Sequence, residues 1–168
     1  MRKTKHEPAV TETAETIAEV ADASLSSSLA EVESHLRAFI AAFILPRAQP
    51  RWVEFLIDRR DEWDTTPRGP KSRKVRSKAT DVLRGFAADV RYCVPVPNAR
   101  RTAACYEATF GKAHGVYFEL GSPPCRLTAV AADEKFSWED KSALLSFEAG
   151  KKALFFCHDG GVWKCERA

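Results

Sequence analysis

The chain has 168 residues, 45% of them hydrophobic and 29% charged, with a formal net charge of +3. That size and balance fit one soluble domain with a sizeable core, and they exclude a wholly disordered chain or two full-sized domains. The charge is uneven: residues 1–46 hold four Lys/Arg against seven Asp/Glu, residues 47–101 fourteen against seven, and residues 102–168 eight against nine.

Residues 1–12 are rich in charge and threonine with little to bury. They read as a disordered tail ahead of a single domain over residues 13–168. Met1 to Glu7 is basic but leads into Thr, Glu and Ala rather than an apolar stretch, so no signal peptide and a cytoplasmic location are expected. Leu25, Leu29, Val32, Leu36, Phe39 and Phe43 recur every three or four residues. They predict one helical stripe, widened by Ile40 and Ile44 and stopped by Pro46. The simplest role is packing on its own domain. The same spacing suits a short coiled coil, which makes these six residues a candidate homodimer seam. Ser26, Ser27 and Ser28 favour a cap within this stretch. The apolar run Ala38–Leu45 has eight residues, whereas a bilayer-spanning helix needs about 20, so a core segment is expected and no membrane span.

Pro50 opens the next expected helix, with Trp52, Phe55, Leu56 and Trp63 near one face and Arg59, Arg60, Asp61 and Glu62 toward water. The run from Pro67 to Lys78 then packs six cations and no acid into twelve residues. It is expected to be a loop whose second half enters a helix carrying Val82, Leu83, Phe86 and Val90. Tyr92 to Pro97 must leave helical geometry, because residues before proline are pushed extended. Asn98 is a candidate N-cap for a helix bearing Ala103, Tyr106 and Phe110 and ending near Gly111.

The last third changes period. Val116–Leu120 and Cys125–Val130 read as strands on either side of Gly121-Ser122-Pro123-Pro124. Lys141–Ala149 reads as a short helix closed by Gly150. Ala153–Cys157 and Val162–Cys165 flank Asp159-Gly160 and read as a hairpin. The expected fold class is α+β: about four helices over the N-terminal two-thirds, then a small, mostly antiparallel sheet of about four strands with one short helix.

Several short motifs follow one another from Phe39 onward: the apolar helix running into Pro46-Arg47, then Trp52-Val53-Glu54-Phe55-Leu56, then Pro70-Lys71-Ser72-Arg73-Lys74. After them come Arg91-Tyr92-Cys93-Val94-Pro95-Val96-Pro97, Gly121-Ser122-Pro123-Pro124-Cys125, and the terminal Leu154-Phe155-Phe156-Cys157 with Val162-Trp163-Lys164-Cys165-Glu166. In this order, over roughly residues 39–166, the chain resembles a family of small uncharacterised bacterial proteins. Proteins of that look usually carry a histidine in the helix after the basic segment, where this chain has Gly85. The resemblance implies a recurring fold and brings no assigned activity.

Arg68, Lys71, Arg73, Lys74, Arg76 and Lys78 form the candidate partner-binding segment, because such a cluster either stays solvated or meets an anion. An acidic protein surface is the expected partner and nucleic acid its rival, since six cations can neutralise several phosphates. Arg47, Arg51, Arg84, Arg91, Arg100 and Arg101 are candidates to extend that surface. The sequence lacks the interleaved exposed aromatics of a base-stacking platform and any groove-reading motif.

Cys157-His158-Asp159 holds the residue types of a nucleophilic triad, yet neighbours on a strand point to opposite faces, and the triplet reads as a strand end and turn. Five cysteines, Cys93, Cys105, Cys125, Cys157 and Cys165, without a CxxC pair, read as reduced thiols. A zinc site would need Cys157 and Cys165 on one face near His114, which a three-residue turn permits and a two-residue turn forbids. His114 reads as a turn residue, and His35 as solvent-facing or half-buried in its helix. Asp133, Glu134, Glu139 and Asp140 around Phe136 and Trp138 read as acids favoured near a helix start. No catalytic residue, metal or cofactor is expected. The expected function is a cytoplasmic, non-enzymatic interaction or regulatory module presenting a basic loop to an acidic partner. Nucleic-acid binding is the alternative. An enzyme is third, and would require Cys105 or Cys125 to meet His114 and an acid in a pocket.

Overall fold

The computed structural model of the protein describes residues 27–62, 69–136 and 141–168. Leu25, Trp63, Arg68, Trp138, Glu139, Asp140 and the predicted tail lie outside the described residues. In chain order the elements are α1 (Leu29–Phe43), α2 (Gln49–Val53), α3 (Pro70–Arg84), α4 (Phe86–Asp89), β1 (Cys93–Pro95) and α5 (Ala103–Phe110). They continue as β2 (Gly115–Glu119), β3 (Cys125–Leu127), α6 (Ala129–Lys135), β4 (Ala143–Glu148), β5 (Lys152–Phe156) and β6 (Val162–Glu166). The six strands form one antiparallel sheet in the order β1-β6-β5-β4-β2-β3. The α+β class and the mostly N-terminal placement of the helices are as expected, but the sheet has six strands rather than about four.

Helix α1 begins where the serines favour a cap: the Ser28 hydroxyl accepts a hydrogen bond from the Glu31 N–H at 3.1 Å. Its Val32, Leu36, Phe39 and Phe43 are buried in the core of the domain itself. This is the packing role expected of the stripe, and only Leu29 of its described residues is exposed, at 58%. Helix α2 continues from Glu54 to Asp58 as a π-helical turn and ends in a 3₁₀ turn at Arg60–Glu62. Gly85 separates α3 from α4, so the single helix expected through Val90 is two.

The sheet buries both faces. On one, Phe39, Trp52, Phe86 and Phe155 form an aromatic cluster beneath α1 to α4, with Phe86 and Phe155 stacked at 3.8 Å between ring centroids. On the other, Tyr106, Phe110 and Phe136 close over Tyr117, Leu145, Leu154 and Phe156. This two-sided burial explains why Lys141–Ala149 reads as a helix yet forms β4. Leu144 belongs to one core and Leu145 to the other, so the polar–apolar alternation that marks a half-exposed strand is absent. The second additional strand, β1, is three residues long and contains a proline. The strand expected over Cys125–Val130 stops at Leu127, because the Thr128 hydroxyl caps α6 through the Ala131 N–H. Similarly, Thr102 rather than Asn98 caps α5, and residues 98–100 form a 3₁₀ turn.

The register of β1 on β6 sets Cys93 opposite Cys165, with their Cα atoms 4.1 Å apart, and the two are joined by a disulfide. This corrects the expectation of five reduced thiols: Cys105, Cys125 and Cys157 are free. Spacing along the chain carries no trace of the pair, since 72 residues separate them. Among the described residues no helix is long and apolar enough to cross a membrane.

Candidate functional site: a basic cleft on helix α3

The basic segment is helical rather than a loop. Gly69 precedes α3 without a side-chain cap and Pro70 occupies the first turn, where its missing N–H is no loss. The Ser72 hydroxyl donates to the Glu62 carbonyl at 2.5 Å and ties the helix start to the preceding turn. Helical periodicity then sorts the side chains. Val75, Ala79, Val82 and Leu83 are buried, while Lys71, Arg73, Lys74 and Lys78 are exposed. Lys71, Lys74 and Lys78 recur at intervals of three and four and line a cleft of about 340 Å³ together with Phe55, Arg59 and Val75.

Arg76 turns away from this cleft. Its guanidinium lies against Gly121, which sits at φ 81° in the turn after β2, where an added Cβ would collide with it. The six predicted cations are thus not one surface: Lys71, Lys74 and Lys78 share the cleft, Arg76 does not, and Arg68 lies outside the described residues.

Arg59 closes the cleft but is itself compensated. It makes two hydrogen bonds to the Glu62 carboxylate, at 2.9 and 3.0 Å, approaches Glu54 at 3.5 Å, and lies 5.5 Å from the centre of the Phe55 ring. These hydrogen bonds hold the Glu62 carboxyl below its ordinary range and raise the Arg59 guanidinium. Among the described residues, Lys71, Arg73, Lys74, Arg76 and Lys78 make no salt bridge, whereas Arg37, Arg51, Arg101, Arg126, Lys152 and Lys164 all do. The first turn of α3 also contains no acid. Cations there face the positive end of the helix dipole, an arrangement that opposes helix stability and strengthens the local positive potential. Sequence reasoning missed Phe55 and Arg59 as part of the cleft. Their four-residue spacing, which puts both on one helical face, is the signal that could have found them.

Four of the other candidate arginines, Arg47, Arg51, Arg91 and Arg101, are engaged within the fold. Arg51 pairs with Asp89 at 2.9 Å, Arg91 donates to the carbonyls of Ala41 and Ala42, and Arg47 reaches the Ala88 carbonyl. Arg101 bonds Asp133 at 2.6 Å and the Gly160 carbonyl at 3.0 Å, clamping α6 to the β5–β6 turn beside a shallow cleft of about 620 Å³ that includes His158 and Asp159. The acid Asp133 thus has a partner in the fold, rather than a helix start to stabilise.

The residues named for the enzyme reading sit on separate elements. Cys105 is half-buried on α5, Cys125 is buried opposite Tyr117, and His114 is exposed three residues before that tyrosine. The terminal turn has three residues between Cys157 and Gly161, so Cys157 and Cys165 do share a face, but Cys165 lies opposite Ala153, four residues along β5 from Cys157, and is bonded to Cys93. Burial pushes the Cys157 thiol up to about 12, with Asp159 adding to the effect, which favours the thiol over the thiolate. Among the described residues, no group of three His, Cys, Asp or Glu side chains is placed to hold a metal ion.

His35 is half-buried in α1 and shares a 2.8 Å hydrogen bond with Ser146 on β4. Burial lowers its pKa; Glu31 opposes this and Arg126 adds to it. The unfolded chain therefore takes up a proton near pH 6.5 while the folded one resists. Stability is expected to be level above that pH and to fall as pH drops below it, until the folded imidazole titrates. His35→Gln should flatten the decline below about pH 6.5 in a series of urea midpoints. An unaltered decline would assign it to other groups.

No family model, curated protein or solved structure matches this chain.

Proposed function

We propose that this protein is a non-enzymatic interaction module that captures an acidic protein segment in the cleft between α3 and the turn before it. The observation that carries this reading is the row of lysines that make no salt bridge among the described residues, Lys71, Lys74 and Lys78, beside the apolar side chains Phe55 and Val75. A lysine in the first turn of a helix without an acid of its own there opposes stability, and such departures from local consistency tend to mark functional surfaces. An acidic segment bearing one apolar side chain satisfies both features, with carboxylates on the lysines and the apolar group between Phe55 and Val75. The rival, nucleic acid, would use the lysines alone. Arg59 already lies over the Phe55 ring, which works against base stacking there.

Acidic peptides with and without a central Leu or Phe, and labelled DNA and RNA, should be compared in fluorescence anisotropy at about 50 and 200 mM salt. The anchored acidic peptide should bind best, and K71A/K74A/K78A should weaken it roughly tenfold, since each exposed pair contributes up to about 1 kcal/mol. Tighter binding of nucleic acid, lost in the same variant, would promote the rival.

We place the module in the cytoplasm on the strength of its three free thiols. The Cys93–Cys165 bridge pulls toward an oxidising compartment. Quenching intact cells in acid and alkylating the denatured protein decides between them: labelled Cys93 and Cys165 support the cytoplasm, and blocked ones overturn it.

A further inference from the structure

Between the edge of the sheet and α5 lies a second, differently built cavity. It is an apolar groove of about 190 Å³, walled on one side by Val94, Val96 and Pro97 and on the other by Cys105, Tyr106 and Phe110. Two charged side chains, Arg100 and Lys164, also line it, with Pro95 and Thr109, and no carboxylate does.

The walls are fixed before any ligand arrives. The β1 wall is bonded to β6 through the Val96 N–H to the Val162 carbonyl at 2.7 Å, and the Cys93–Cys165 disulfide anchors its start. On the α5 side, Phe110 is stacked on Phe147 at 4.6 Å, and Thr102 caps the helix through the Cys105 N–H. Another strand cannot take this place. Val94 and Val96 direct their backbone groups toward β6, which leaves Pro95 and Pro97 facing the open edge without N–H donors. The groove is left for an inserted ligand.

Its size and charge define that ligand. A cavity of about 150 Å³ lined by apolar side chains accommodates benzene, so 190 Å³ accepts one six-membered ring with little to spare. Lys164 is bound to Glu166 at 2.8 Å. Arg100 is exposed and makes no salt bridge among the described residues, so its guanidinium is the available charge, and its planar fork matches one carboxylate. We propose that this groove binds a small aromatic monocarboxylate of the benzoate or phenylacetate class. The ring lies among Val96, Tyr106 and Phe110, and the carboxylate lies on Arg100.

The site stands apart from the α3 cleft, so its test does not depend on the proposed function. The full-length protein, labelled with ¹⁵N, is titrated with phenylacetate, 2-phenylethanol and acetate. Phenylacetate should shift the amides of Val94, Val96 and residues 103–110 saturably. It should bind about tenfold more tightly than 2-phenylethanol, as expected of a charge-assisted hydrogen bond, and than acetate, through burial of the ring. Arg100→Ala should bring the acid down to the level of the alcohol while leaving the spectrum of the free protein folded. Cys105 is the half-exposed free thiol, Cys125 and Cys157 being buried, so phenylacetate should also slow its alkylation by iodoacetamide. Equal binding of acid and alcohol, shifts centred elsewhere, unchanged Cys105 alkylation, or no saturable binding would each overturn the assignment.

Discussion

Replacing Phe155 with alanine is expected to lower the unfolding free energy by about 3–5 kcal/mol, a large part of the roughly 5–15 kcal/mol available to a domain. Phe155 is fully buried toward the end of β5, stacked on Phe86 at 3.8 Å, with Phe39 and Trp52 each at 6.3 Å. Its ring joins α1, α2 and α4 to the sheet, so truncation opens a cavity where three helices meet and none can close it alone. Urea unfolding followed by circular dichroism measures the effect, with Leu29→Ala as the control. At 58% exposure, Leu29 should change stability by no more than about 0.5 kcal/mol. A loss below about 1 kcal/mol for Phe155→Ala would mean that the helical layer does not depend on this ring.

The second large effect is expected at Asp89, the buried carboxylate at the end of α4. It accepts hydrogen bonds from the Trp52 indole at 3.0 Å and from the Arg51 guanidinium at 2.9 Å. Alanine would leave the buried indole N–H unpaired and release Arg51 to water, with an expected loss of about 2–4 kcal/mol. Arg51 is half-exposed, so Arg51→Ala should cost no more than about 1 kcal/mol. Asp89→Asn keeps an acceptor for the indole and should fall between them. The order of urea midpoints is the test. Equal losses for Arg51→Ala and Asp89→Ala would place the energy in the ion pair rather than in the buried indole.

These two sites mark the boundary between what a sequence encodes locally and what it does not. The Phe39 stripe is legible because a helix repeats its environment every three to four residues, and backbone geometry alone turns that spacing into a buried face. The terminal hairpin is legible for a similar reason: Asp159 and two glycines break two apolar runs, and the chain reverses there. The Asp89–Trp52 bond joins residues 37 apart, and nothing in either neighbourhood announces it.

The basic site divides in the same way. Its cation density could be counted from the chain, and so could the absence of nearby acids between Pro67 and Lys78. Which lysines share a surface depended on where α3 begins. Starting at Pro70 puts Lys71, Lys74 and Lys78 in one row and sends Arg76 toward Gly121. Phe55 and Arg59 joined them only because the π-helical turn packs against α3.

By itself, then, the sequence determined the α+β class, the course of α1, the β5–β6 reversal and the location of the excess positive charge. All four follow from periodicity, turn chemistry and composition acting over a few residues. The tertiary structure alone decided that the segment 141–149 forms a strand, Ala143–Glu148, that Cys93 meets Cys165, and that an apolar groove lies between β1 and α5. Each of these depends on which distant surfaces pack together. Once both faces of a sheet are buried, the local pattern no longer distinguishes strand from helix.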